Sequence, residues 1–246
     1  MASRSFLNYL RFLTPTLSVG VISSDLMHLE DELKKLDDTG VNIIHFDVMD
    51  GNFCPSMTIG ASFIKSVKTK LLKDIHLMIS QPDIKLNWFV DAGADMLTVH
   101  FEACPTHIHS ILQLIGRMKN ANDPERGIIA GVAINPGTPV ESIESVLDVA
   151  DMITILAVNP GWQEQSFIRI TQRKIEKAIS LINQSGRDIL VCVDGGITKE
   201  NIIDVSQMAP DIVVAGSAVF DKKDPIENAR FLLSHLKKDR RKYHEI

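Results

Sequence analysis

Along the chain, short runs of apolar, largely β-branched residues alternate with longer stretches whose apolar positions recur at helical spacing. The short runs read as eight strands: Leu17–Val21, Asn42–Val48, Asp74–Ile79, Met96–His100, Ile128–Ile134, Met152–Val158, Ile189–Val193 and Ile212–Ala215. Most are apolar nearly throughout, as expected of parallel strands covered on both faces. They start on average about 28 residues apart, the length of one strand–helix unit. Thr138-Pro139-Val140-Glu141 and Asp224-Pro225-Ile226-Glu227 each combine a capping side chain, proline at the first helical position and an acid behind it. Ser80-Gln81-Pro82-Asp83 is a looser version, and Gly40 and Gly93 stand where helices should stop. Eight such units predict an α/β chain closed into a single-domain (β/α)8 TIM barrel, with an open doubly wound sheet as the competing arrangement.

No Pro/Gly/Ser linker or low-complexity stretch divides the sequence. Residues 1–15 read as an N-terminal extension, 16–238 as the barrel and 239–246 as a charged C-terminal tail. The extension has Phe6, Leu7, Leu10 and Phe12 at roughly helical spacing, with Arg4, Arg11 and no acid. It is either transit-like or, as the pattern favours, a short segment packed against the domain; it lacks the continuous apolar core of a secretory signal.

Composition narrows the function classes. With 246 residues and 45% hydrophobic residues, the chain suits one large globular domain. Its 26 basic and 31 acidic side chains give a formal charge of −5, so no net basic field attracts a nucleic-acid backbone. No apolar run approaches the ~18 residues of a membrane span. Cys54, Cys104 and Cys192 are too few and too scattered for a disulfide framework or a cysteine zinc site. They fit a reducing compartment, the cytoplasm.

A barrel carries its chemistry at the carboxyl ends of its strands, and the polar residues of this sequence gather there. Strand two ends in His45-Phe46-Asp47-Val48-Met49-Asp50-Gly51, strand three carries His76, strand four ends at His100 with Glu102 beyond, and strand seven ends in Asp194-Gly195-Gly196. His45 and Asp47 are two apart and so leave one face of the strand. If that face is the barrel interior, His76 and Asp194 can join them. Two imidazoles and two carboxylates suit one divalent ion such as zinc, iron(II), manganese(II) or cobalt(II). A lone histidine in an apolar strand is more often a hydrogen-bonded core residue; four ionisable groups at active-face positions, two of them otherwise uncompensated acids, favour a cation. Glycine-rich turns at Asp194-Gly195-Gly196-Ile197 and Ala215-Gly216-Ser217-Ala218 form a candidate phosphate site, expected to lead into helix N-termini. His107, His109, Trp88 and Trp162 read as solvated, loop or packing residues.

The blocks His45-Phe46-Asp47-Val48-Met49-Asp50-Gly51-Asn52-Phe53, Asp74-Ile75-His76-Leu77-Met78, Val158-Asn159-Pro160-Gly161, Val193-Asp194-Gly195-Gly196-Ile197 and Ala215-Gly216-Ser217-Ala218-Val219-Phe220 closely resemble the ribulose-phosphate 3-epimerase family, in order, from about Leu17 to Leu236. The resemblance implies a barrel that interconverts D-ribulose 5-phosphate and D-xylulose 5-phosphate. One divalent metal is expected at His45, Asp47, His76 and Asp194, with Asp47 and Asp194 as the acid/base pair. Met49 and Met78 are expected to line the site, and Gly161, Gly195, Gly196, Gly216 and Ser217 to hold substrate or its phosphate. Homo-oligomers are expected by the same analogy.

Three places depart from the family pattern. Gly20 stands where the family carries a serine that touches substrate, Trp162-Gln163-Glu164 replaces Phe-Gly-Gly after strand six, and Leu156 replaces a methionine. The metal and acid/base set is intact while substrate-holding positions have changed, so a related pentulose or hexulose phosphate is an open alternative. Glu164 beside a phosphate dianion predicts weaker affinity for ribulose 5-phosphate. The competing function is a non-catalytic or regulatory sugar-phosphate binder. A lyase or decarboxylase is disfavoured because no Asp-x-Lys-x-x-Asp arrangement is present.

Overall fold

The computed structural model describes residues 4–162, 165–221 and 223–236. The substitutions at Gln163 and Glu164 and the charged tail at 239–246 lie outside them.

Eight strands, β1 (Thr16–Gly20), β2 (Ile43–Met49), β3 (Leu72–Met78), β4 (Met96–His100), β5 (Ile129–Ile134), β6 (Met152–Leu156), β7 (Leu190–Asp194) and β8 (Ile212–Ala215), pair in parallel and in sequence order. β8 returns to β1, with Leu17 opposite Val213, and closes the barrel. The open-sheet alternative is thereby excluded. Around it lie α1 (Arg4–Leu13), α2 (Leu29–Leu36), α3 (Ala61–Ser66), α4 (Leu86–Val90), α5 (Ile108–Ile115), α6 (Thr171–Ser185), α7 (Ile202–Gln207) and α8 (Pro225–Leu236), with short 3-10 turns between.

Two start signals behave differently. Asp224 caps α8 as expected, its Oδ1 accepting from the N–H groups of Ile226 and Glu227. After β5, however, Val140–Val146 winds as a 3-10 helix with Pro139 at its cap position and no side-chain cap. The Thr138 hydroxyl donates instead to Glu102 and is lost to the helix. α2 and α4 end earlier, at Leu36 and Val90, and Gly40 and Gly93, both at positive φ, lie in the turns that follow.

The interior has two apolar regions, and the alternation of side chains along a strand separates them. Outward residues such as Ile44, Phe46, Ile75, Leu97, Val132 and Ile153 pack against the helices. Inward residues at the strand starts, Ile43, Leu72, Met96, Ile129, Met152, Leu190 and Ile212, form a separate floor. α1 seals that floor with Phe6 and Leu10, which are 4% and 1% exposed. Arg11 fastens it, reaching Asp211 at 2.6 Å, Asp188 and the Ile189 carbonyl at the strand starts. Its spacing places Phe12 outside, where it is 81% exposed.

Candidate active site

Counting by twos from the apolar floor shows why the opposite end of the barrel is polar. Inward of Ile43 come His45 and Asp47; of Leu72, Asp74 and His76; of Met96, Thr98 and His100; of Leu190, Cys192 and Asp194. Parallel registry then sets neighbours level: His45 opposite Asp74, Asp47 opposite His76, and Met49 opposite Met78.

The four residues singled out from the sequence come together at the carboxyl-end mouth. One ligand atom from each of His45, Asp47, His76 and Asp194 lies within 4.8 Å of all the others. His45 Nε2 is 3.3 Å from Asp47 Oδ1 and 3.7 Å from Asp194 Oδ2; His76 Nδ1 is 3.5 Å and 3.2 Å from the same two oxygens. Ligands about 2.0–2.1 Å from one zinc-sized ion stand roughly 3.3 Å apart in a tetrahedral arrangement. His76 Nδ1 is also buried without a hydrogen-bond partner, an expensive state that a cation in contact with its lone pair removes. On both counts these residues fit a divalent metal.

The electrostatics run the same way. Burial pulls the His45 imidazole down, but the carboxylates of Asp74 and Asp47 outweigh it and hold its pKa well above the ordinary value. His76 is likewise raised against its burial, by Asp194 and Asp47. Asp47 is desolvated, yet the two imidazoles hold its carboxyl far below the usual range. The cluster favours positive charge at its centre and stable carboxylates around it.

Each histidine is held from behind. His45 Nδ1 lies 2.7 Å from Asp74 Oδ2, which also accepts from Ser18 Oγ at 3.0 Å. That carboxylate keeps the proton on Nδ1 and turns the Nε2 lone pair toward the cluster. His76 Nε2 lies 2.9 Å from His100 Nε2, and His100 Nδ1 lies 3.0 Å from Glu102 Oε2. The Glu102 Oε1 accepts from the Asn135 N–H at 2.7 Å and from Thr138 Oγ1. Burial pushes the His100 imidazole down to about 4. Burial works against the Glu102 charge, but His100, Thr138 and Asn135 bring its carboxyl down to about 2. These outer partners carry no role in the sequence reading. A signal existed: Asp74-x-His76 and His100-x-Glu102 repeat the two-residue spacing of His45-x-Asp47.

The residues expected to hold substrate occupy the same end. Met49 is half-buried at the rim, while Met78 is only 2% exposed. Gly161 has φ +92° and belongs to a loop locked onto the β2–α3 loop, where Ser56 Oγ donates to its carbonyl at 2.5 Å. A Cβ at Gly161 would stand 2.6 Å from Pro55 Cδ, so the docking requires glycine. Gly195 and Gly196 follow Asp194, both at positive φ. Neither glycine turn runs straight into a helix: α7 begins at Ile202 and α8 at Pro225, while Gly216 closes a short turn by accepting from Val219 and Phe220. Short turns at Gly195-Gly196 and Gly216-Ser217, rather than helix N-termini, follow β7 and β8 at the carboxyl end of the barrel. Gly20 ends β1 beside the latter turn; a Cβ on it would meet Gly216 Cα at 3.2 Å. Trp88 and Trp162 are exposed, and His109 pairs with Asp148 at the surface.

Comparison with known proteins fixes the lineage. The sequence profile of the ribulose-phosphate 3 epimerase family matches residues 16–220. The chain belongs to the ribulose-phosphate 3-epimerase family. The ribulose-phosphate 3-epimerase of Bacillus subtilis is 42% identical over 207 residues, 83% of this chain and 91% of that protein. The chloroplastic ribulose-5-phosphate-3-epimerase of Arabidopsis thaliana is 38% identical over 86% of this chain and 73% of that protein. The Escherichia coli K12 enzyme is 36% identical over 85% and 90%. Among solved structures, 3-hexulose-6-phosphate synthase from Salmonella typhimurium superposes with a TM-score of 0.65 at 20% identity, covering 90% of this chain and 98% of that one. That likeness shows the shared barrel alone. The epimerase family makes the chain an isomerase of pentose-phosphate chemistry, and the non-catalytic alternative gives way to it. No helix among the described residues is long and apolar enough to cross a membrane.

Proposed function

We propose that the chain is a metal-dependent ketose-phosphate 3-epimerase, interconverting D-ribulose 5-phosphate and D-xylulose 5-phosphate or a closely related ketose phosphate. The convergence of His45 Nε2, Asp47 Oδ1, His76 Nδ1 and Asp194 Oδ2 carries the reading. A divalent ion held there supplies Lewis-acid stabilisation of the negative charge that develops on the substrate oxygens during proton removal.

Inversion at carbon 3 needs a base on one face of the sugar and an acid on the other, since one base alone returns the proton to the face it came from. Asp47 enters the mouth from β2 and Asp194 from β7, with β1 and β8 between them. Their side chains are 24% and 12% exposed, open enough to meet a substrate and desolvated enough to matter. One carboxylate takes the carbon-3 proton while the other, protonated, delivers a proton to the opposite face; positioned acid/base groups contribute typically 10²–10⁴-fold each. The backbone at Gly195, Gly196, Gly216 and Ser217, with the loop at Gly161, is the proposed phosphate cradle, and Met49 and Met78 the apolar lining. The chain is further proposed to act as a homo-oligomer, by family likeness, and in the cytoplasm, a reading supported by three buried cysteines that are all free.

The test is solvent deuterium wash-in at carbon 3 of a panel of pentulose and hexulose phosphates with metal-replete protein. Ribulose 5-phosphate should exchange and epimerise, and Asp47→Asn and Asp194→Asn should each lower turnover by at least 10²-fold. Near-parent turnover in Asp194→Asn would refute the two-carboxylate scheme.

A further inference from the structure

Behind His76 the hydrogen-bonded groups form a continuous line, from the buried His76 and His100 to the half-buried Glu102, Asn135 amide and Thr138 hydroxyl. His76 and His100 are completely buried, their rings stacked 4.9 Å apart, with Phe53 covering His100 at 4.6 Å. No solvent reaches the pair, so its protons must be settled among these groups.

We infer that His100 and Glu102 form a proton-ordering relay whose role is to fix the tautomer of His76, making both of them positioning residues for the metal centre. The inference rests on the four-ligand reading above. For His76 Nδ1 to present a lone pair to an ion, the ring proton must sit on Nε2. It then has one acceptor, His100 Nε2, at 2.9 Å. An unprotonated His100 Nε2 requires the proton on Nδ1, where Glu102 Oε2 accepts it at 3.0 Å. Reversing the order would turn the His100 Nδ1 lone pair toward a carboxylate and place a proton on the His76 atom that should ligate. With a cation on His76 Nδ1 offsetting the Asp47 and Asp194 carboxylates that face it at 3.5 Å and 3.2 Å, Glu102 selects one order of the two, and its other oxygen is pinned by two donors so that it cannot swing away.

That pinning makes Glu102→Gln a discriminating isostere. The Asn135 N–H and Thr138 hydroxyl demand an acceptor, so the amide oxygen takes the Oε1 place and the amide NH2 faces His100 Nδ1. Donation from this NH2 forces the His100 proton to Nε2 and the His76 proton to Nδ1. The relay inverts with no change in side-chain volume.

Two readouts test it. Long-range imidazole 15N–1H spectra of the Zn(II)-loaded parent should show His76 protonated on Nε2 and His100 on Nδ1, whereas Glu102→Gln should carry the His100 proton on Nε2. Co(II) affinity, read from its visible absorption, should fall about 10–100-fold in Glu102→Gln and recover in Glu102→Asp. His100 protonated on Nε2 in the Zn(II)-loaded parent would overturn the relay, and this result does not depend on any variant folding. A parent that binds Co(II) while Glu102→Gln binds it equally well would overturn the relay alone. A parent that binds no Co(II) would overturn the four-ligand reading and the relay with it.

Discussion

Asp74→Asn probes the other buried histidine without altering a ligand. In the parent, Asp74 Oδ2 accepts from His45 Nδ1 at 2.7 Å and from Ser18 Oγ at 3.0 Å, while Asp74 Oδ1 is buried with no hydrogen-bond partner. Asparagine can enter in two orientations. With its oxygen toward His45, the tautomer survives, but a charge-assisted bond becomes neutral and the amide NH2 is buried where nothing accepts, costing about 1–3 kcal/mol. With the NH2 toward His45, the imidazole must accept at Nδ1 and carry its proton on Nε2, so its ligating lone pair is lost. Removing such an outer partner weakens metal binding typically 10–100-fold, about 1.4–2.8 kcal/mol. Competition for Zn(II) against a chromophoric chelator measures the affinity, and urea denaturation with EDTA present measures the stability of the metal-free protein. Both should fall. An affinity within twofold of the parent would refute the argument that the Asp74 carboxylate sets the His45 tautomer.

Other outcomes follow from separate parts of the molecule. Leu10→Ala empties a fully buried place in the barrel floor and should cost about 2–5 kcal/mol in urea denaturation. Turnover at saturating substrate should hold, because the floor lies at the opposite end of the strands from the site. Gly20→Ser returns a hydroxyl to the end of β1 at a residue with ordinary extended backbone, where its Cβ, 3.2 Å from Gly216 Cα, requires that turn to give by a few tenths of an ångström. One new hydrogen bond should lower KM for ribulose 5-phosphate several-fold, and an unchanged KM would remove Gly20 from the substrate-holding set. Glu102 titrates at about 2 in the fold against 4.5 ordinarily. Its depressed value contributes stability above pH 4.5 that is lost as pH falls toward 2. Between pH 5.5 and 3 the parent should therefore lose about 2 kcal/mol more than Glu102→Gln, an order-of-magnitude figure.

The strands were legible because nearly continuous apolar runs of parallel strands stand out against amphipathic helices. All eight lie within two residues of where the pattern puts them, although β3 begins two residues early, at Leu72. The convergence of His45, Asp47, His76 and Asp194 was legible for a related reason. Inward positions repeat every two residues, and a barrel has one polar end. What escaped was relational. The two-residue spacing of Asp74-x-His76 marks Asp74 as sharing a face with His76, but its role arises from registry with His45 on β2. Thr138 looks like a helix cap, and only the fold reveals Glu102, thirty-six residues earlier, as its partner. The floor plug was half visible. Helical spacing marked Phe6 and Leu10, but the inward floor they meet is assembled from seven different strands.

Anomalous diffraction from crystals grown with Co(II), collected at the cobalt edge, tests the central claim most directly. One strong peak is expected at the barrel mouth, about 2.0–2.2 Å from His45 Nε2, Asp47 Oδ1, His76 Nδ1 and Asp194 Oδ2. A peak that omits any of these four side chains, or no peak at the mouth of a saturated crystal, would contradict that claim.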